Sequence, residues 1–303
     1  MNNDYFIRSL LSVPGNRPTM LEKARNLPAD GLHLDLEDAV PPSEKEPARQ
    51  IVRELLPGFA LRGQVVTVRV NSLSTGLIEG DLDAVLCSHV AAISLPKAES
   101  PQDVAAVDAM LSEREEKLGL APGLIGIFVW IETARAMLEA YPMARASTRV
   151  RALLLGADDF TREMGIPRTR AGDELAFARW TVALAARAAG VLALDTGYPD
   201  YQDEEGLVRE AQLARRMGFQ GKFLIHPSQI EPVNSAFRPA SGEIEMAQRV
   251  VDAFEAAVAQ GRATTSLEGS LIDTAIAGRA RSLLAFAQAA SQRESVSGQK
   301  QEG

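Results

Sequence analysis

"GLHLDLEDAV", residues 31–40, alternates as a strand does: Leu32, Leu34 and Leu36 interleave with His33, Asp35 and Glu37, and Asp38 follows. Successive side chains of a strand point to opposite faces, so the leucines share one side and the acids run along the other. A solvent-facing strand tolerates such carboxylates; a functional pocket requires them. The same parity recurs at residues 65–71, where Val66, Val68 and Val70 oppose Thr67, Arg69 and Asn71. If both strands line one barrel, the apolar faces pack outward against helices. Arg69 then meets Glu37 or Asp35 across the mouth.

Short runs rich in Val, Leu and Ile recur at residues 10–13, 32–36, 65–70, 91–95, 125–131, 152–155, 191–195 and 222–226. Such runs read as buried strands. Helical patterns separate many of them. Met20, Leu21, Ala24 and Leu27 share one face. Ser43 and Glu46 fit a capping box, and Ser100 caps a helix with Pro101 in its first turn. Eight strands with intervening helices predict an α/β fold, a (β/α)8 TIM barrel; the alternative is an open doubly wound sheet. No G-x-G-x-x-G follows the first strand, so nothing recruits a dinucleotide. Beyond His226 the pattern is helical: a long helix at 241–261, a loop at "GRATTSLEGS" (261–270) and a helix at 273–290. The expected organisation is a catalytic barrel at 1–238, a C-terminal helical extension or lid at 239–291 and a disordered tail at 292–303.

With 303 residues, 46% hydrophobic and 24% charged, the chain has the composition of a globular protein with a large core. A net charge of -8 opposes a broad nucleic-acid surface but leaves room for a local basic pocket. The single cysteine, Cys87, excludes an intrachain disulfide and a cysteine cluster for zinc. The N-terminal residues lack a signal-peptide pattern, and no apolar run reaches membrane-spanning length. The expectation is a cytoplasmic protein.

Charged and polar residues gather at the C-terminal ends of the strands: Asp35, Glu37 and Asp38; Arg69 and Asn71; Lys97; Glu132; Asp158 and Asp159; His226. That end of a β/α barrel carries the active site, although helix caps and turns also concentrate polar residues there. Glu132 ends "GIFVWIE", and Asp159 closes "GADD". Hard divalent ions take a few carboxylates and complete their shell with water and substrate oxygens, which two strand-end acids suit. The other reading makes Glu132 a helix-starting acid and Asp158 or Asp159 an N-cap.

These segments, in this order, resemble the citrate lyase beta subunit-like family of the HpcH/HpaI aldolase superfamily. The resemblance rests on "RSLLSVPGNRP", "LDLEDAV", "VRVNS", "LPKAES", "IETA", "GADDF", "GKFLIHPSQIEPVN" and "GSLID", and spans about residues 7 to 290. It implies a β/α barrel with a C-terminal extension, assembled as a homotrimer or hexamer. It also implies a Mg²⁺-dependent carbon–carbon lyase, with Mn²⁺ as a substitute, that cleaves or forms a 3-hydroxyacyl thioester. Malyl-CoA, citramalyl-CoA and citryl thioesters are such substrates, with a 2-oxo acid as the other partner. By resemblance Glu132 and Asp159 bind the metal, and Arg69 holds the substrate acid or enolate oxygen. Asp35, Glu37 and Asp38 support the metal's waters and orient Arg69. Asp273 of "GSLID" is the acid/base candidate, although its place before "TAIAGRARSLL" also suits a helix cap. Pro14, Gly15 and Asn16 match the entrance motif, and Arg17 and Lys23 are candidates for CoA phosphates near a helix N-terminus.

Two other readings stay open: a class II-type aldolase for free 2-oxo acids, and a non-catalytic acyl-CoA binding subunit. Lys97 is positioned for a Schiff base, yet a surface or ion-paired lysine accounts for it better. His226 reads as a loop anchor, His33 as part of the barrel wall or interior, and Cys87 as an inert thiol in a helix.

Overall fold

Eight parallel strands pair in sequence order and close on themselves in this computed structural model, which describes residues 5–299. They are β1 (Ser9–Pro14), β2 (Gly31–Asp35), β3 (Val65–Arg69), β4 (Ala92–Leu95), β5 (Gly126–Ile131), β6 (Val150–Leu155), β7 (Leu192–Asp195) and β8 (Gly221–Leu224). The helices between them are α1 (Pro18–Ala24), α2 (Lys45–Leu55), α3 (Ile78–Val85), α4 (Pro101–Leu118), α5 (Ala134–Arg145), α6 (Ala157–Met164), α7 (Ala176–Ala189) and α8 (Glu204–Met217), and α9 (Ile230–Phe237) follows β8. This is a (β/α)8 barrel rather than an open sheet, because β1 pairs with both β2 and β8.

Parity within the strands builds two cores. Leu32, Leu34 and Leu36 join Val66, Val68 and Val70 in the layer between barrel and helices. Leu10, Phe128, Trp130, Leu154, Leu194 and Phe223 fill the barrel interior. His33 faces that interior, with its ring 5.2 Å from Phe223 and 5.9 Å from Trp130, edge to face in each case. Its Nδ1 lies 2.9 Å from Thr67 Oγ1 on the neighbouring strand. The polar side of β2 therefore points into the barrel, and all five residues of the strand are buried.

The layer outside the barrel also holds buried charge. Lys222, on the outward parity of β8, donates to Asp195 Oδ2 at 2.7 Å, Thr196 O at 2.6 Å and Glu210 Oε1 at 2.6 Å. Arg179 from α7 pairs with the same two acids. Every member has a partner, as burial of charge demands.

Local chemistry departs from expectation at three places. Ser43 caps nothing: it lies in a 3-10 turn, Pro42–Glu44, and α2 starts without a side-chain cap. Glu46 bonds Arg49 instead, at 2.8 Å. Ser100 does cap α4, in a capping box with Asp103. Cys87 lies just beyond α3, not within a helix. The third departure is "GRATTSLEGS", which opens a short hairpin, β9 (Thr265–Leu267) and β10 (Ser270–Ile272). Glu268 at φ 49° and Gly269 at φ 80° make its two-residue turn, the left-handed pair that matches strand twist.

The chain divides after Phe237 into two compact units. In the second, α10 (Ser241–Ala259), the hairpin and α11 (Thr274–Gln299) enclose their own apolar core, including Val250, Val251, Phe254, Ile272 and Ala277. The disordered tail expected from residue 292 is helical as far as Gln299. Extending an existing helix costs little, and Glu294 pairs with Arg238. Residues 300–303 of that expectation lie outside the described residues.

Candidate active site

Asp35 ends β2 at the barrel mouth and is fully buried. Its carboxylate accepts from Arg69 Nε at 2.8 Å and from Arg69 Nη2, a bidentate pair across adjacent strands. It also accepts from the main-chain N–H groups of Glu37 at 2.8 Å and Ala39 at 3.2 Å, which shapes the turn after β2. Burial alone would push the acid up. Arg69 and these hydrogen bonds outweigh it and hold Asp35 below the ordinary carboxylate value.

Glu37 stays on the inner side of the turn and is also buried. Its Oε2 lies 3.3 Å from Arg69 Nη1, and its Oε1 bonds Lys97 Nζ. Burial and the neighbouring Asp38 raise its pKa against the pull of Arg69 and Lys97. Arg69 thus meets both acids across the mouth, and its guanidinium carbon stands 5.6 Å from the centroid of the Trp130 ring. Burial disfavours the cation, but Asp35, Glu37 and Asp38 together raise its pKa further. Asp38 differs from expectation. It is exposed, and it pairs with Lys97 at 3.0 Å rather than orienting Arg69 directly.

Lys97 follows β4 in a left-handed conformation, φ 52°. Its ammonium joins Glu37 and Asp38, and its main-chain N–H donates to Glu132 Oε1 at 2.6 Å. These carboxylates overcome the effect of burial and hold the amine protonated well above its ordinary value. A Schiff base needs a neutral amine, so the imine reading of Lys97 loses its chemistry.

Glu132 follows β5 on the inward parity of Phe128 and Trp130. It does not start a helix: Thr133 is the N-cap of α5, accepting from Ala136 N at 3.1 Å. Glu132 is 2% exposed. Burial, then repulsion from Asp159, push its carboxyl up to about 7, while the Lys97 N–H pulls the other way. Asp159 sits in the first turn of α6, half-buried and paired with Arg162. Gly156 is the N-cap there, so neither Asp158 nor Asp159 caps. Asp158 is exposed and turned to Arg168. Gly156 also makes room for Glu132. A Cβ on it would lie 2.4 Å from Glu132 Cβ and 2.6 Å from Oε2.

The donor set at Glu132 and Asp159 fits a hard divalent cation. Both are carboxylates, the charge of Asp159 is felt at Glu132, and buried Glu132 accepts the Lys97 N–H on Oε1, with no hydrogen bond to Oε2 among the described residues.

Around the mouth, Gly15 N donates to Asp35 O at 2.7 Å, and Asn16 Nδ2 donates to Glu44 Oε2 at 2.6 Å. Asn16 Oδ1 is buried without a hydrogen-bond partner among the described residues. Pro14 ends β1. Arg17 and Lys23 are exposed at the two ends of α1, which spans only seven residues. Lys45 Nζ donates to Leu36 O and Glu37 O, each at 2.7 Å, and Asn71 Nδ2 donates to Leu36 O at 3.1 Å, which hold the acidic turn in place. Asp273 lies in the second unit. Its Oδ1 accepts from Ile276 N at 2.9 Å, the helix-capping arrangement. His226 anchors a loop, with its side chain accepting from Ser228 N and its ring stacked on Tyr201.

Sequence reasoning passed over Trp130 and Gly156. Trp130 reads as core, although its inward parity places it under Arg69. The only signal for Gly156 is its position one residue after an apolar strand.

The model of the HpcH/HpaI aldolase/citrate lyase family matches residues 8–227. This chain belongs to that family. Among relatives, the citrate lyase subunit beta of Leuconostoc mesenteroides subsp. cremoris is 37% identical over 289 residues, covering 95% of this chain and 96% of the relative. A (3S)-malyl-CoA thioesterase of Cereibacter sphaeroides strain KD131 is also 37% identical, covering 93% and 95%. Among solved structures, Mycobacterium tuberculosis CitE in complex with magnesium, acetoacetate and coenzyme A is 30% identical. It has a TM-score of 0.76 and covers 93% of this chain and 98% of CitE. The mouth acids of this HpcH/HpaI chain thus sit on the same barrel scaffold as a protein crystallised with metal, oxo acid and CoA.

Proposed function

We propose that this protein is a Mg²⁺-dependent carbon–carbon lyase that cleaves or forms a short 3-hydroxyacyl-CoA thioester of the malyl, citramalyl or citryl type. One observation carries the reading: buried Glu132, just after β5, and Asp159, in the first turn of α6, follow neighbouring strands at the barrel mouth that also carries Arg69, held by Asp35 and Glu37. It is supported by relatives named for citrate lyase and for malyl-CoA, and by CitE crystallised with magnesium, acetoacetate and coenzyme A.

Glu132 and Asp159 would hold the metal, with Mn²⁺ as a substitute. When bound, the ion supplies Lewis-acid polarisation of the hydroxyl and carboxylate oxygens of the substrate. As the alcohol passes its proton to solvent and its carbon becomes a carbonyl, the adjacent carbon–carbon bond breaks. Its electron pair passes to the thioester fragment as an enolate. Arg69 hydrogen-bonds Asp35 through Nε and Nη2 and pairs with Glu37 through Nη1, which leaves N–H groups on its terminal nitrogens for that oxygen. A cation held this rigidly stabilises developing charge without reorganising. A proton then reaches the enolate carbon, and Asp273 is the proposed donor, on the strength of the family resemblance. Asn16, whose buried Oδ1 has no partner among the described residues, and the adjoining Pro14 and Gly15 are proposed to meet the substrate at the entrance. Arg17 and Lys23 are proposed to meet the CoA phosphates.

The relative named as a malyl-CoA thioesterase supports a second reading, in which the thioester is hydrolysed. Assaying malyl-CoA and citramalyl-CoA with Mg²⁺, while following both the oxo acid and the free thiol, separates the two. Oxo acid with intact acetyl-CoA supports the lyase, and free CoA thiol supports hydrolysis. Turnover of free hydroxy acids alone, or activity that survives exhaustive chelation, would refute the proposal.

We also propose that the chain self-associates as a homotrimer or hexamer. Leu138 and Tyr141 on α5 and Phe177, Trp180 and Leu184 on α7 expose an apolar stripe across two packed helices. No helix among the described residues is long and apolar enough to cross a membrane. A cytoplasmic location is part of the proposal.

A further inference from the structure

Lys97 is the only non-glycine residue of the barrel unit with a left-handed backbone among the described residues. A residue with a Cβ occupies that region at a cost, and such outliers persist where their surroundings enforce them. Two features of Lys97 show what is enforced. Its side chain reaches the turn after β2, where Nζ bonds Glu37 Oε1 and lies 3.0 Å from Asp38 Oδ1 and 3.3 Å from Oδ2. Its main-chain N–H donates to Glu132 Oε1 at 2.6 Å. On the other side of Glu132, Oε2 occupies the space that Gly156 leaves open.

We infer that Lys97 is a positioning residue whose ammonium tether to Glu37 and Asp38 holds its backbone left-handed, so that its N–H presets Glu132 for the divalent cation. This rests on the reading of Glu132 and Asp159 as the metal pair. The tether spans two strand ends: the segment after β4 carries the donor, and the turn after β2 carries the anchors. The acidic turn therefore bears on the metal site without supplying a ligand to it. Without the tether, the segment relaxes toward negative φ in the metal-free protein, and cation binding must restore the left-handed state.

Two variants separate backbone from charge. Lys97→Met and Lys97→Gly both lose the ammonium, and so lose equally its direct repulsion of a cation. Only glycine adopts the left-handed state unaided. The measurement is the Mg²⁺ dissociation constant by titration calorimetry on the full chain, with Glu132→Gln as the site control and thermal melting as the fold control. The Met variant should bind Mg²⁺ about tenfold more weakly than the Gly variant, the left-handed cost of a Cβ residue being equivalent to about five- to thirtyfold. Asparagine, which tolerates this region, should fall near glycine, which keeps the comparison open if the Met variant folds poorly. Turnover by the Met variant should recover as Mg²⁺ is raised, which a merely structural role would not produce. Equal Mg²⁺ affinity of the Met, Asn and Gly variants overturns the inference and leaves the metal site standing. Wild-type protein whose Mg²⁺ binding is indifferent to Glu132→Gln overturns the functional reading itself.

Discussion

Replacing Gly156 by alanine adds one methyl group against Glu132. The new Cβ would stand 2.4 Å from Glu132 Cβ and 2.6 Å from Oε2. Non-bonded carbons rest at about 3.5–4.0 Å, so the carboxylate arm must retreat by about 1 Å. The backbone at Gly156 has φ −97° and ψ 79°, a negative φ that imposes no handedness penalty on alanine. The strain therefore falls on Glu132. Overpacking of this kind costs about 1–3 kcal/mol of stability, which should lower the melting temperature by several degrees. The functional loss should be larger, because a displacement of about 1 Å in a reacting group costs about 10²-fold. The assay is steady-state cleavage of malyl-CoA across a Mg²⁺ titration, with calorimetry for metal affinity and a thermal melt alongside. We expect kcat to fall about 10²-fold, with weaker Mg²⁺ binding and a folded protein. Wild-type turnover and wild-type Mg²⁺ affinity in a folded G156A protein would refute the reasoning, because Glu132 would then be free to move without consequence.

Metal binding should depend on pH through Glu132, whose carboxyl is pushed up to about 7 by burial and by Asp159. In the metal-free protein Glu132 keeps a proton that the unfolded chain gives up, so its contribution to stability declines as pH rises from its ordinary value toward about 7. Mg²⁺ needs the carboxylate, so affinity should strengthen across the same window and fall about tenfold per unit below it; calorimetry showing a flat dissociation constant from about pH 6 to 8 would contradict this. Arg69→Lys replaces a fork that spans Asp35 and Glu37 with a single ammonium, and kcat should drop by about 10²–10³-fold while the protein stays folded. Lys222→Met leaves Asp195 and Glu210 short of a buried cation and should cost about 3–5 kcal/mol in urea unfolding. A loss below about 1 kcal/mol would mean that Arg179 alone neutralises both acids.

Alternation and motif order make most of the barrel legible in the sequence. Leucines at 32, 34 and 36 and valines at 66, 68 and 70 declare which face meets the helices, because strand geometry leaves a side chain only two directions. That parity also brings Arg69 to Asp35 and Glu37, since adjacent parallel strands in register place inward residues side by side. Local competition is harder to read. Ser43 has the spacing of a capping box, but the prolines around it settle into a 3-10 turn. The "LEGS" turn forms a hairpin because two left-handed residues suffice to reverse the chain.

The sequence by itself determined the period of the strands, the sign of the charges at their ends and the order of the motifs, because these are properties of neighbours along the chain. Tertiary structure decided how Lys97 divides its two hydrogen-bonding groups between Glu132 and the acidic turn, and why residue 156 lacks a side chain. It also decided that Asp38 serves Lys97 rather than Arg69, and that Lys222 lies buried among acids outside the barrel. These facts depend on which strand ends and helices come within a few ångströms of one another. Barrel closure sets those distances, and no window of consecutive residues contains them.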